Sequence, residues 1–150
     1  MAISNLWVIM PVYNEEEAID PVVNEWISAL EKLKLNYTLC LLNDGSKDST
    51  LLKINELSKK FSSIKIVNKD NSGHGQTCVL GYQMAIENGA DWIFQIDSDG
   101  QCDAQYFEKF VPLTDQYQNI YGVRKKRDDG LQRIIVSYFV TLFILVATGT

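Results

Sequence analysis

The sequence has one histidine, three cysteines and no apolar stretch long enough to cross a bilayer. Each scarcity excludes something. With His74 alone, no His-rich metal centre and no local histidine triad can be assembled from these residues. The cysteines (Cys40, Cys78 and Cys102) are odd in number, scattered, and without metal-type spacing, so neither a disulfide framework nor a zinc site is expected. No charged segment leads into an apolar core at Met1, and a reducing, cytosolic setting without disulfides is the expectation. At 150 residues, 46% hydrophobic and 22% charged, the chain is large and apolar enough for one domain around one core.

The net charge of −5 is unevenly spread. Residues 1–120 carry 9 basic and 17 acidic side chains, whereas residues 121–150 carry 5 basic and 2 acidic. A basic end after an acidic body, leading into apolar residues, reads either as a solvated loop or as a contact for a phosphate or a membrane surface.

Apolar runs bounded by turn residues recur at Leu6–Val12, Tyr37–Leu42, Ile64–Val67 and Trp92–Ile96, and these are the strand candidates. Between them, apolar residues three and four apart mark amphipathic helices: one from Ala18 to Leu33, one from Leu51 to Phe61, and one around Val79 to Ile86. Strict alternation of strand and helix predicts an α/β fold, a mostly parallel, Rossmann-like sheet with helices on both faces and ligands at the carboxyl ends of the strands. A last helix candidate, Leu131–Thr148, differs in kind. Its 14-residue apolar run from Ile134 to Ala147 is too short to span a membrane and fits a buried or interfacial helix. The chain stops just after it, and truncation of a longer protein at the C-terminus is expected.

The unusual residues collect where strands turn into helices. Asp97 and Asp99, at the end of the fourth strand, would repel each other unless a cation or hydrogen-bond donors stand between them. A hard divalent ion such as Mg²⁺ or Mn²⁺ answers that repulsion, with Gln101 offering a further oxygen; the plain alternative is two turn-forming aspartates before Gly100. An EF-hand loop starting at Asp97 fails, because its sixth position is Cys102 rather than glycine and a strand precedes it. Asp44, at the end of the second strand, can accept from a ribose hydroxyl or a base N–H, while Asp48 or Ser49 can cap the helix that follows. Gly73-His74-Gly75 is two thirds of a dinucleotide fingerprint after the wrong strand; its simpler role is a helix N-terminus facing the same cleft, with His74 either lining it or on the surface. After the basic run Arg124-Lys125-Lys126-Arg127, Arg133 and Ser137 are four apart on one helix face and can converge on a phosphate, or the run is a solvated basic loop with an exposed arginine.

Taken in order, Val8-Ile-Met-Pro-Val-Tyr-Asn-Glu15, Leu42-Asn-Asp-Gly-Ser-Lys-Asp-Ser-Thr50, Asn71-Ser-Gly-His-Gly75 and Gln95-Ile-Asp-Ser-Asp-Gly-Gln101 resemble the N-terminal part of a family 2 glycosyltransferase of the GT-A fold. Within that family the similarity is greatest to polyprenyl-phosphate sugar transferases of the dolichyl-phosphate mannosyltransferase type. It rests on Gln101 after the paired aspartates, and on Gly122-Val-Arg124 followed by Arg133 and Ser137. The resemblance implies that residues 1–150 are the nucleotide-sugar-binding part of the enzyme. Pro11, Tyr13, Glu15 and Asp44 would hold the nucleoside, Asp97, Asp99 and Gln101 a Mg²⁺ or Mn²⁺ ion on the diphosphate, and Arg124, Arg133 and Ser137 the acceptor phosphate. It also implies an inverting transfer from a nucleotide-diphosphate sugar to a polyprenyl phosphate, in the cytoplasm at the cytoplasmic face of the membrane, with no nucleic-acid partner. The competing classes are a non-catalytic nucleotide-binding module or inactive fragment, a phosphohydrolase using its Asp-x-Asp pair, which belongs after the first strand, and a nicotinamide enzyme.

Overall fold

The computed structural model of the chain describes residues 3–123. Every element named here belongs to one compact unit that ends at Ile120. The order is β1 (Leu6–Val12), α1 (Ile19–Lys32), β2 (Tyr37–Asp44), α2 (Thr50–Lys60), β3 (Ile64–Lys69), α3 (His74–Glu87) and β4 (Trp92–Gln95), followed by two 3₁₀ turns, Ala104–Lys109 and Val111–Asp115. The expected alternation is therefore present, with the helix candidate 131–148 outside the described residues.

All pairings in the sheet are parallel and the strand order is β3-β2-β1-β4. The chain adds strands outward from β1 to β3, then returns to place β4 on β1's other side. Right-handed crossovers allow this only if the returning helix lies on the opposite face. Two hydrophobic clusters record that outcome. Leu6, Val8, Met10, Leu39 and Leu41 pack with residues of α1 and α2, whereas Trp7, Ile9, Cys40 and Leu42 pack with α3. Every residue of β1 is buried, as expected for a central parallel strand covered on both faces, and this is why it reads as an unbroken apolar run.

Helix α1 buries Ile19, Val22, Val23, Trp26, Ile27 and Leu30 along one stripe. Trp26 meets Phe94 of β4 and Phe107 of the first 3₁₀ turn at ring-centroid distances of 5.7 and 6.1 Å, with Phe94 and Phe107 themselves 4.7 Å apart. This aromatic cluster fixes the segment after β4 onto α1. Glu25 Oε1 adds a polar tie by accepting the Ala104 N–H at 3.1 Å. On the opposite face, Gly81 lets α3 lie directly on β1. At the amino end of the sheet, the Asp91 carboxylate accepts the N–H groups of Ser4 and Asn5 and the Ser4 hydroxyl, joining the entry of β1 to the entry of β4.

Candidate functional site

Strand order reverses between β1 and β4, and in open α/β sheets such a reversal leaves a crevice at the carboxyl ends of the strands. A cleft of about 490 Å³ opens there, and its lining includes Pro11, Tyr13, Glu15, Asp44, Asp97 and Asp99. Six residues singled out from sequence thus converge on one cavity from three separate turns. Asn71, Gly73 and His74 complete its α3 side.

The alternation of β4 explains the aspartates' placement. Phe94 and Ile96 pack with the α1 cluster while Ile93 packs with that of α3, so Asp97 continues on the α3 side. Its Oδ1 stands 3.8 Å from His74 Nε2, and His74 in turn has its Nε2 3.5 Å from Cys78 Sγ. Burial and then the charge of Asp97 raise the Cys78 pKa, which keeps it a neutral thiol. Asp99 forms the expected turn, Oδ1 accepting the Gln101 N–H at 3.0 Å, and it also lines the cleft. Gly100 allows the tight turn at φ +73°, where a Cβ would stand 3.2 Å from Val22 Cγ2 of α1. Glu15 shares this acidic region. Burial, followed by the charges of Asp99 and Asp48, pushes its carboxyl above the usual range.

Gln101 is exposed and is not among the residues lining the cavity. Among the described residues no group of three or more His, Cys, Asp or Glu side chains is gathered as a self-sufficient metal cage. Two carboxylates facing an open cleft nevertheless suit a hard cation of the Mg²⁺ kind, which takes one or two protein carboxylates and completes its shell with water and ligand phosphates. Arg124, Arg133 and Ser137 lie outside the described residues. Among the described residues no helix is long and apolar enough to cross a membrane.

The β1–α1 and β2–α2 turns are clasped together. Ser46 Oγ accepts the Asn14 N–H, Asn14 Oδ1 accepts the Lys47 N–H, and Thr50 Oγ1 accepts the Glu15 N–H. Asp48 accepts the Glu16 N–H with one oxygen and the Thr50 N–H with the other, so Asp48, not Ser49, supplies the helix cap. This clasp holds Tyr13 and Glu15 at the mouth of the cleft.

Asp44 is buried, at 3% exposure, and its oxygens are already in use. Oδ1 accepts the Ser72 N–H at 2.9 Å and the Lys69 ammonium; Oδ2 accepts the Gly73 N–H at 2.9 Å. Burial alone would raise this carboxyl, but the bonds from Lys69, Ser72 and Thr77 outweigh it and hold the group below the usual aspartate range. A carboxylate has about four acceptor sites, so with Lys69, Ser72, Gly73 and Thr77 against it Asp44 keeps at most one for a ligand, on the less occupied Oδ2. Lys69 was not singled out from sequence. Its signal was available only through register, since Asp44 and Lys69 are paired positions on neighbouring strands.

Comparison with known proteins bears on this geometry. The family model described as glycosyl transferase family 2 matches residues 7–145. Curated relatives include proteins named undecaprenyl-phosphate 4-deoxy-4-formamido-L-arabinose transferase, from Pectobacterium atrosepticum at 27% identity and from Salmonella choleraesuis at 29%. Each match covers 98% of this chain and 45% of the relative, so the chain spans about half the length of the curated relatives it matches. Among solved structures, S. aureus TarS 1-349 in complex with UDP-GlcNAc superposes with a TM-score of 0.60 at 21% identity, over 82% of this chain and 36% of that one. The complex of the same protein with UDP gives 0.58 at 20% identity, over 82% and 37%. The expected α/β architecture is thus that of the GT-A glycosyltransferases, and a family match running through nearly the whole sequence makes this chain a member of glycosyl transferase family 2.

Proposed function

We propose that the cleft binds a nucleoside-diphosphate sugar, and that the whole protein transfers the sugar to a polyprenyl phosphate at the cytoplasmic face of the membrane. The observation that carries this reading is the convergence of Pro11, Tyr13, Glu15, Asp44, Asp97 and Asp99 on one cavity at the strand-order reversal of a family 2 domain. The names of the curated relatives support the acceptor, and the UDP and UDP-GlcNAc complexes of TarS support the donor class.

In this reading Pro11, Tyr13, Glu15 and Asp44 hold the nucleoside end, and Asp97 and Asp99 would hold a Mg²⁺ or Mn²⁺ ion at the diphosphate, with Gln101, next to the cleft lining, as the further oxygen the family resemblance assigns. A divalent ion bound there supplies electrostatic stabilisation to the departing diphosphate. The acceptor phosphate is already anionic, so its oxygen attacks the anomeric carbon without a strong general base. The carbon–oxygen bond to the donor diphosphate breaks as the new one forms, the electron pair leaves with the nucleoside diphosphate, and a single in-line displacement inverts the anomeric centre. Arg124, Arg133 and Ser137 are assigned to orienting the acceptor phosphate and offsetting its repulsion from the donor.

The test is calorimetric titration of the full-length protein with UDP, with and without Mn²⁺, beside the Asp99→Asn variant. Binding that strengthens with Mn²⁺ in the unaltered protein and loses that gain in Asp99→Asn, with the fold intact by circular dichroism, is expected. Binding indifferent to Mn²⁺ in both would remove the metal assignment.

A further inference from the structure

The Lys69 ammonium is surrounded by acceptors that all belong to the protein. It donates to Asp44 Oδ1, to the Asp70 carbonyl at 2.7 Å and to Ser72 Oγ at 2.7 Å, and lies 3.3 Å from Thr77 Oγ1. An ammonium has three N–H bonds, so these partners saturate it and leave none for a ligand phosphate. Its side chain is only 19% exposed. The partners come from the end of β2, the loop after β3 and the first turn of α3, so one cation joins three pieces of the cleft wall.

The joint has a direction. Lys69 and the Ser72 N–H occupy Asp44 Oδ1, Oδ2 receives the Gly73 N–H, Thr77 also bonds the carboxylate, and Asp44 lines the cleft. Asn71 Nδ2 also donates to the Asp44 carbonyl at 2.8 Å, and Gly45 at φ +70° packs so close to Asn71 that a Cβ would stand 2.7 Å from its backbone nitrogen. The carboxylate is therefore fixed in rotation, with the remaining lone pair of Oδ2 as the acceptor it can offer.

We propose that Lys69 is a positioning residue for nucleoside recognition, locking Asp44 so that a single oxygen is presented to an N–H donor of the base. The proposal rests on the reading of the cleft as a nucleoside-diphosphate site. Lys69 itself does not touch the ligand. Its effect passes through Asp44, so it governs which base is accepted more than how the diphosphate is held.

The experiment measures binding of UDP, CDP, GDP and ADP to the full-length protein and to the Lys69→Met, Asp44→Asn and doubly substituted variants. Lys69→Met is expected to weaken the preferred nucleotide about 10- to 100-fold, the range for losing a charge-assisted hydrogen bond. It should also narrow the ratio between the tightest and weakest of the four, whereas a merely structural loosening would lower all four alike and leave that ratio. Adding Lys69→Met to Asp44→Asn should cost no further affinity, because the two act as one unit. This second comparison decides the matter even if Lys69→Met alone fails to fold, since the double variant leaves no unpaired buried charge. An unchanged ratio, or losses that multiply in the double variant, overturns the role of Lys69 alone. Failure of the unaltered protein to bind any of the four overturns the nucleotide reading, and the proposal with it.

Discussion

Gly81 of α3 lies so close to Ile9 of β1 that a Cβ built on it would stand 2.5 Å from Ile9 Cγ2 and 3.3 Å from Leu42 Cδ1. Ile9 is fully buried at the centre of the sheet and has no room to yield. Because α3 carries His74 and the Gly73 turn into the cleft, this contact also sets the height of the cleft wall.

Substitution Gly81→Ala therefore sets overpacking against a better helix former. Overpacking costs about 1–3 kcal/mol and the helix gain offsets up to about 1 kcal/mol, so a net loss of up to about 2 kcal/mol is expected. Urea denaturation of the variant beside the unaltered protein measures it. An unchanged midpoint would mean that α3 can lift away from β1 without cost.

Asn14 has a left-handed backbone, φ +54°, and its side chain accepts the Lys47 N–H at 2.8 Å. Asn14→Gly keeps the backbone and loses the bond, at about 1 kcal/mol; Asn14→Ala loses both and should cost about 1 kcal/mol more. The order unaltered, glycine, alanine in thermal midpoint is the expected result. Equal midpoints for the two variants would show that the turn carries no conformational demand.

The carboxyls dictate a pH profile with two parts. Asp44, Asp48 and Asp91 are lowered in the folded state, each against the opposing effect of its own burial, by bonds from Lys69 and Ser72, from Thr50 and Glu16, and from Ser4 and Asn5 respectively. A lowered carboxyl stabilises the fold above its unfolded pKa, about 4, and that contribution disappears as the pH falls through the folded value. Glu15 is raised and works oppositely: its ionised form costs stability at neutral pH, and acidification through its raised value relieves that cost. Denaturant midpoints should rise slightly as the solution is acidified through the raised range of Glu15, then drop below about 4. Glu15→Gln should remove the rise and keep the drop; a monotonic profile in both proteins would contradict the assignment.

Most of the architecture was legible in the sequence because parallel strands covered on both faces cannot disguise themselves. β1 coincides with its expected limits, and the helices α1 and α2 differ from their apolar stripes by a residue at either end. β3 was expected to end at Val67 but continues to Lys69, since its last two residues are polar while still paired with Asn43 and Asp44. α3 begins at His74, where Gly73-His74-Gly75 is expected to open it, ahead of the apolar residues that mark its body. The 3₁₀ turns after β4 had no periodic signal; they are fixed by Phe107 reaching Trp26, a contact 81 residues apart in sequence.

The cleft was legible in its residue types and opaque in its wiring. Glycine and acidic residues at strand ends announce a site, so Asp97 and Asp99 could be picked out singly, whereas Glu15 was marked only through the family resemblance. What a linear reading misses is that a side chain's partners come from the neighbouring crossover. Asp44 looked like an open acceptor, and only the strand register reveals how much of it Lys69, Ser72 and Gly73 consume.

Those cross-connections constrain the future of the domain as well as its present shape. Each turn at the rim leans on the next, Asn14 on Ser46 and Lys47, and Gly45 and Asp44 on Asn71 and Ser72. A mutational drift in one turn must be answered in its neighbour, so new specificities should be inherited as matched pairs of turns and not as single swaps.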